Sequence, residues 1–340
     1  MKVAVFSTKS YDRQFLTDAN TDHEHELIFH GTPLNSATAA LAAGCEAVCI
    51  FVNDEATADT LKILAAGGTR LVALRCTGFN NVDLHVAAEL GIKVVRVTVY
   101  SPYSVAEHAV ALLQCLNRKI HRAYNRTRDN NFTLDGLMGV DLHDRTVGII
   151  GTGKIGQIFA KIIGDGFGCK LLGYDLYPNP KFESELGGKY VTLPELFSQS
   201  DVISLHCPLT PDNHYLINEA AIAQMKPGVM VINTSRGGLV ETEAVIAGLR
   251  SKQIGALGLD VYEQESDLFF EDLSCEIMQD DLIDRLLSFP NVIMTGHQAF
   301  FTQEAIGTIS QTTLASITEF AQGKPLSNEI KPPEKVPATA

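Results

Sequence analysis

The chain has 340 residues, enough for two domains with separate cores, and its 45% hydrophobic and 20% charged residues suit a water-soluble α/β protein. Its 27 basic and 40 acidic residues leave a formal charge of −13, which argues against a nucleic-acid or anionic-membrane partner. A small anionic ligand would therefore need a local positive anchor.

The first residues, MKVAVFSTKS, read as a strand and lack the apolar core of a secretory signal; no apolar run reaches the ~20 residues of a membrane span. The expectation is a cytoplasmic protein. Short β-branched runs predict strands at Lys2–Phe6, Glu26–Phe29, Ala47–Phe51, Leu71–Leu74 and Lys93–Arg96, with helical patterns at Ala37–Ala43, Ala56–Leu64 and Leu84–Leu90. Phe6-Ser7-Thr8-Lys9, after the first strand, has no glycine, so this α/β domain is not expected to hold a dinucleotide. Asp22-His23-Glu24-His25-Glu26 reads as a solvated loop rather than a metal site. The seven cysteines form no Cys-x-x-Cys pair; the reading is reduced, mostly buried thiols, with no zinc site and no disulfide framework.

One long helix is predicted from Ser104 to about Tyr124, with Ala109, Leu112, Leu113, Leu116 and Ile120 at helical spacing. Six strands follow at Val147–Ile150, Leu171–Tyr174, Val202–Leu205, Val229–Ile232, Ala256–Leu259 and Val292–Met294, alternating with helices such as Ile155–Ile163, Leu193–Ser198, Glu219–Met225 and Thr242–Ser251. Six strands with crossovers make a doubly wound nucleotide-binding domain. A last helix is expected over about Glu304–Gln322, then an extended or disordered tail from about 324.

In such a sheet ligands bind beyond the carboxyl ends of the strands. The first strand of the six runs into Gly151-x-Gly153-x-x-Gly156, and the second into Asp175, 19 residues on, placed to accept hydrogen bonds from a ribose. Leu176 follows, not a basic residue, so NAD is favoured over NADP. The third ends in His206-Cys207-Pro208 and the fourth in Asn233-Thr234-Ser235-Arg236-Gly237-Gly238. Asp260, Glu263 and Glu265 follow the fifth, and Thr295-Gly296-His297 the sixth. These residues suit hydride transfer to a 2-oxo acid. His297 can give the carbonyl oxygen its proton, a carboxylate such as Glu265 on its other nitrogen would fix the tautomer and favour the charged ring, and Arg236 offers a planar fork for the substrate carboxylate.

With those residues the sequence resembles the D-2-hydroxyacid dehydrogenase family over nearly its whole length. "RCTGFNNVD" (75–83), "VYSPYSVAEHAV" (99–110), "DLFFED" (267–272) and "LLSFPNVIMTGHQAFFT" (286–302) are similar to the fermentative D-lactate dehydrogenases. The resemblance implies a Rossmann coenzyme domain, 101–298, inserted into a flavodoxin-like catalytic domain made of 1–100 and 299–340. It further implies that Thr77 and Gly78 offer backbone N–H groups to the substrate carboxylate, with Tyr100 and Phe300 against the substrate. Lys154 and Ile155 would lie against the pyrophosphate; His206, Cys207, Pro208, Thr234, Ser235 and Asp260 would surround the nicotinamide. Where the family more often has Asn or Ala, "SPYS" carries Tyr103 and Ser104, at the domain hinge. The expected activity is reversible NADH-dependent reduction of pyruvate to D-lactate by a homodimer or homotetramer. Open alternatives are a relative acting on a larger 2-oxo acid (hydroxypyruvate, phenylpyruvate, a branched-chain acid) and a non-catalytic NADH-sensing protein of the same fold.

Overall fold

The strand runs read in the sequence pair into two separate parallel sheets. The computed structural model describes residues 1–265, 268–270 and 272–332, and its chain divides into two compact units, Met1–Ser101 with Phe301 onward, and Pro102–Phe300. Among the described residues no helix is long and apolar enough to cross a membrane.

In chain order the first unit contains β1 (Lys2–Val5), α1 (Ser10–Ala19), β2 (Glu26–Phe29), β3 (Ala47–Ile50), α2 (Ala58–Ala66), β4 (Leu71–Leu74), α3 (Leu84–Glu89) and β5 (Lys93–Arg96). The sheet order β2-β1-β3-β4-β5 is the flavodoxin-like doubly wound arrangement. Strands β3 and β4 are buried at every residue, which is why they read as unbroken apolar runs instead of alternating ones. The closing helix, Gln303–Ala321, puts Leu314 and Ile317 into the same core as Val3, Val5 and Leu16.

Three features of this unit depart from expectation. Helix α1 was not foreseen, because its inner face carries Asp12 beside Leu16 and Ala19 and so lacks a clear apolar stripe. The helix expected at Ala37–Ala43 is only a 3₁₀ turn, Ala39–Ala42. His23 and His25 do not form a solvated loop: Nδ1 of the first and Nε2 of the second lie 2.8 and 3.0 Å from the Thr318 hydroxyl of the closing helix, and His25 is buried. The start of the tail is held as well, since Arg96 N donates to Asn328 O and Ile330 N to Val94 O, an antiparallel addition to β5; 333–340 lie outside the described residues.

The second unit runs α4 (Pro102–Asn117), α5 (Ile120–Arg128), β6 (Thr146–Ile150), α6 (Lys154–Phe167), β7 (Lys170–Tyr174), α7 (Pro180–Ser184), β8 (Lys189–Tyr190), α8 (Leu193–Gln199), β9 (Val202–Leu205), α9 (Glu219–Gln224), β10 (Val229–Asn233), α10 (Thr242–Ser251), β11 (Ile254–Leu259), α11 (Asp281–Leu287) and β12 (Val292–Met294). The sheet order is β12-β11-β10-β9-β6-β7-β8, all parallel: the Rossmann order with one further strand beyond the six expected. The unforeseen member, β8, is two residues long, too short for a period-2 signal. The single long helix expected from Ser104 is two, broken at Lys119, whose φ is +52. The seven cysteines are unpaired thiols, four of them buried.

Candidate active site

The carboxyl edge of the second sheet begins with the glycine turn. Gly151 has φ +94, and a Cβ there would lie 2.5 Å from the Cys207 nitrogen; a Cβ on Gly156 would lie 2.0 Å from the Gly151 carbonyl oxygen. These two glycines let the β6–α6 turn press against the end of β9 and let α6 lie on the turn. Gly153 is different: it is exposed, and a Cβ there would meet nothing within 4 Å. No side chain caps α6, so its first-turn N–H groups and the positive end of its dipole face open space, beside Lys154 and Ile155.

Asp175 follows β7. Its Oδ2 accepts from the backbone N–H (2.6 Å) and hydroxyl (3.1 Å) of Thr152, and its Oδ1 from Tyr177 N (2.9 Å). A carboxylate offers about four acceptor sites, so room for a ribose hydroxyl remains. The Tyr190 hydroxyl braces this corner at 2.6 Å from Thr152 Oγ1, and it accepts from Asn179 N at 2.8 Å. Neither Thr152 nor Tyr190 was singled out in the sequence: one is a variable position of the glycine motif, the other sits on the unforeseen β8.

The neighbouring strand ends are apolar and electrically quiet. The His206 ring lies tilted against Phe159 (4.8 Å between centroids, 45° between planes), its Nε2 lies 2.9 Å from Ser204 Oγ, and burial pushes its pKa down to about 3, so it is neutral. Burial pushes the Cys207 thiol up to about 11. Pro208 is exposed beyond it. Ser235 Oγ donates to Leu205 O at 3.0 Å. Two buried polar atoms, His206 Nδ1 and Thr234 Oγ1, find no hydrogen-bond partner among the described residues. Such orphans are costly and mark where a polar ligand group would bind.

Beyond β11 and β12 the titratable groups converge. His297 Nδ1 lies 2.9 Å from Glu265 Oε1, and Glu265 Oε2 is fixed by Tyr262 N at 3.0 Å. The Phe270 ring lies 5.9 Å from the imidazole and that of Phe300 6.4 Å, edge-on. Phe270 stands inside the quoted "DLFFED" motif but drew no role from the sequence; Asp267 and Glu271 of that motif lie outside the described residues. Glu263 is separated from Glu265 by its own partner, the Tyr215 hydroxyl at 2.8 Å. Arg236 is exposed and extended, with Nη1 on the Ser235 carbonyl at 2.7 Å. A Cβ on Gly237 would fall 2.0 Å from the Tyr262 carbonyl carbon, so glycine is needed where the Arg236 loop meets the loop carrying Glu265. Asp260 is fully buried and accepts from Thr295 Oγ1, Gln298 N and Ala299 N at 2.5–2.9 Å.

Thr77, Gly78 and Tyr100 belong to the first unit, at the carboxyl ends of β4 and β5. Arg96 Nη1 donates to the Thr77 carbonyl at 2.8 Å, and Cys76 Sγ lies 3.3 Å from the Gly78 carbonyl, so the loop's carbonyls are tied inward.

Residues 110–299 match the family model described as D-isomer specific 2-hydroxyacid dehydrogenase, NAD binding domain. The chain belongs to that family. A 2-hydroxyacid dehydrogenase homolog of Haemophilus influenzae is 54% identical over 332 residues, 98% of this chain and 100% of the relative. The D-lactate dehydrogenase of Escherichia coli is 54% identical over 330 residues, 97% of this chain and 100% of the relative. The solved structure of the pyruvate reductase of Chlamydomonas reinhardtii superposes with a TM-score of 0.92 at 46% identity, covering 96% of this chain and 98% of that one. As a member of the family the chain is an NAD-dependent D-2-hydroxyacid dehydrogenase. The uncapped α6 N-terminus, the open space at Gly153 and the two orphaned polar atoms at the ends of β9 and β10 fit the dinucleotide.

Proposed function

We propose that this dehydrogenase reduces pyruvate to D-lactate. The observation that carries the reading is the His297–Glu265 hydrogen bond at the carboxyl edge of the NAD-binding sheet, which occupies Nδ1. Nε2 is then the nitrogen that holds a proton for the substrate. Near-full-length identity to a D-lactate dehydrogenase supports the substrate.

Bound NADH supplies a hydride to the carbonyl carbon of the 2-oxo acid. His297 gives the Nε2 proton to the carbonyl oxygen, and the neutral ring takes a proton back from solvent. Glu265 holds the ring in this tautomer and offsets the charge of the imidazolium before transfer. Arg236 binds the substrate carboxylate through two parallel N–H bonds, which orients the carbonyl and concentrates the anion despite the chain's net negative charge. Neutral His206 and the Cys207 thiol keep the nicotinamide end free of competing charge. Asp175 and the α6 N-terminus hold the ribose and pyrophosphate, with Lys154 and Ile155 beside them.

The test is a panel of 2-oxo acids with NADH and NADPH side by side, followed by chiral analysis of the product. The reading expects the highest kcat/KM with pyruvate and NADH, and D-lactate as product. L-lactate, or a higher kcat/KM with phenylpyruvate or a branched-chain acid, would overturn it.

A further inference from the structure

His108 lies on α4, well before the strand ends in sequence, and no role has yet been given to it. Yet its Nε2 is 3.1 Å from Thr295 Oγ1 and 3.4 Å from Asp260 Oδ1, and its side chain is only 18% exposed. Gly258 explains how a helix reaches this edge. A Cβ there would lie 3.1 Å from Leu116 Cδ1 and 3.4 Å from Leu112 Cβ, so α4 rests directly on β11. His108, one turn before Leu112, shares its face and extends it to the strand ends.

The proton count along this contact has one solution. The Asp260 carboxylate already accepts Gln298 N on Oδ1 (2.9 Å) and Ala299 N on Oδ2 (2.8 Å), so at 2.5 Å the Thr295 hydroxyl must donate its single hydrogen to Oδ1. The Thr295 oxygen can then only accept from His108. His108 therefore carries a hydrogen on Nε2, in its neutral or its charged form. What the chain holds is the loop of His297, a non-glycine residue at φ +51. That backbone is unfavourable and persists only when its surroundings enforce it. Asp260 enforces it from both ends, with its carbonyl on His297 N (2.8 Å) and its carboxylate on the two residues after it.

We propose that His108 is a positioning residue for His297: its Nε2–H aims the Thr295 hydroxyl at Asp260, which holds the His297 loop in its left-handed turn. The inference rests on the reading of His297 as proton donor and adds a residue to it.

Three measurements test it on the whole protein. In His108→Leu, kcat for pyruvate should fall about tenfold to a hundredfold, the scale of a small misplacement of a reacting group. The NADH dissociation constant, read by fluorescence titration, and the melting temperature should stay close to wild type. His108→Gln, whose amide N–H reaches as far as Nε2, should recover most of the lost kcat. Long-range ¹H–¹⁵N spectra of the histidine-labelled protein without substrate should show His108 protonated on Nε2, and His297 resonances displaced in His108→Leu. A bare Nε2, a Gln variant as slow as the Leu variant, or a loss of kcat matched by loss of NADH affinity and melting temperature would each overturn the proposal. If wild type fails to reduce pyruvate, the functional reading fails, while the spectra still decide the position of the proton. If wild type turns over and the variants match it, this inference alone fails.

Discussion

The two units begin alike and diverge at the first turn. In both, a largely buried inner strand of a parallel sheet passes through a short loop into a helix, β1 into α1 and β6 into α6. In the first unit the loop is Phe6-Ser7-Thr8-Lys9, and the helix start is closed by its own carboxylate: Asp12 Oδ2 accepts from Lys9 N at 3.0 Å. Arg75, 2% exposed, neutralises Asp12 with Nε on Oδ1 at 3.1 Å and donates Nη2 to Ser7 O at 2.9 Å. Asp54 sits beside them, fully buried, taking Ser7 Oγ, Leu34 N and Phe51 N; burial pushes its carboxyl up, against the pull of Arg75. In the second unit the loop is glycine, the helix start has no cap, and open space lies at Gly153. In the first turn the Asp12 carboxylate reaches back to the N–H of Lys9, just before the helix, and its negative charge disfavours an anion there; in the second no acid stands in the first turn, so the helix start suits one.

The strongest way to break the closed turn is Asp12→Ala, which leaves the buried Arg75 guanidinium without the carboxylate it is hydrogen-bonded to. Removing one partner of a buried pair costs about 3–5 kcal/mol. Urea unfolding should show that loss while NADH affinity in the folded protein holds; a loss below about 1 kcal/mol would mean that solvent replaces the carboxylate.

In the second unit Arg236→Lys keeps the charge and loses the two-pronged geometry. Loss of a charged, oriented hydrogen bond of this kind costs on the order of 2–4 kcal/mol, about 30- to 1000-fold in kcat/KM for pyruvate. NADH binding should be unchanged, and a variant with more than half of wild-type activity would remove Arg236 from the substrate carboxylate.

Gly156→Ala tests the open turn itself. A methyl group 2.0 Å from the Gly151 carbonyl forces α6 off the turn, with an expected loss of about 1–3 kcal/mol in NADH binding, roughly fivefold to more than a hundredfold. Ser7→Ala, at the matching turn of the first unit, should leave NADH affinity within twofold of wild type. Equal effects of the two would erase the distinction between the turns.

Two further effects are smaller. Glu265→Gln removes the carboxylate that lies against His297 Nδ1 and fixes the ring, so kcat for pyruvate should fall while NADH affinity holds; an unchanged kcat would remove Glu265 from that role. His206 is held neutral in the fold, with a pKa near 3 against 6.5 for the open chain. The unfolded state therefore binds the extra proton between those values, so this stabilisation is complete above about pH 6.5 and is lost as pH falls toward 3. At pH 5 the loss is roughly 2 kcal/mol. His206→Gln should shrink the difference in unfolding free energy between pH 7.5 and pH 5 by about that amount.

Much of this site could be read from the chain because strand ends are local features. Apolar runs of four or five residues mark β6, β9 and β10, and whatever follows them is placed by topology at one edge. The placement of Gly151, Asp175, Arg236, Glu265 and His297 along that edge was legible for that reason. Helix α1 was not, since its buried face is polar and is satisfied by Arg75, 63 residues away. Nor was β8, two residues paired only through Leu172 and Gly173.

The sequence by itself determined two parallel sheets, their dinucleotide edge and the residue types at each strand end, because periodicity and turn chemistry act within a few residues. Tertiary structure decided most partners of those residues. The sequence already set Glu265 against His297, and the fold brings the two to 2.9 Å; that Glu263 instead meets the Tyr215 hydroxyl depends on the path of the loop after β11. That His108 on α4 reaches Thr295 and Asp260 depends on Gly258, which lets a helix and a strand more than 130 residues apart lie in contact. Hydrogen bonds are made at ~3 Å, a precision that sequence spacing does not carry once the chain has crossed from one element to another.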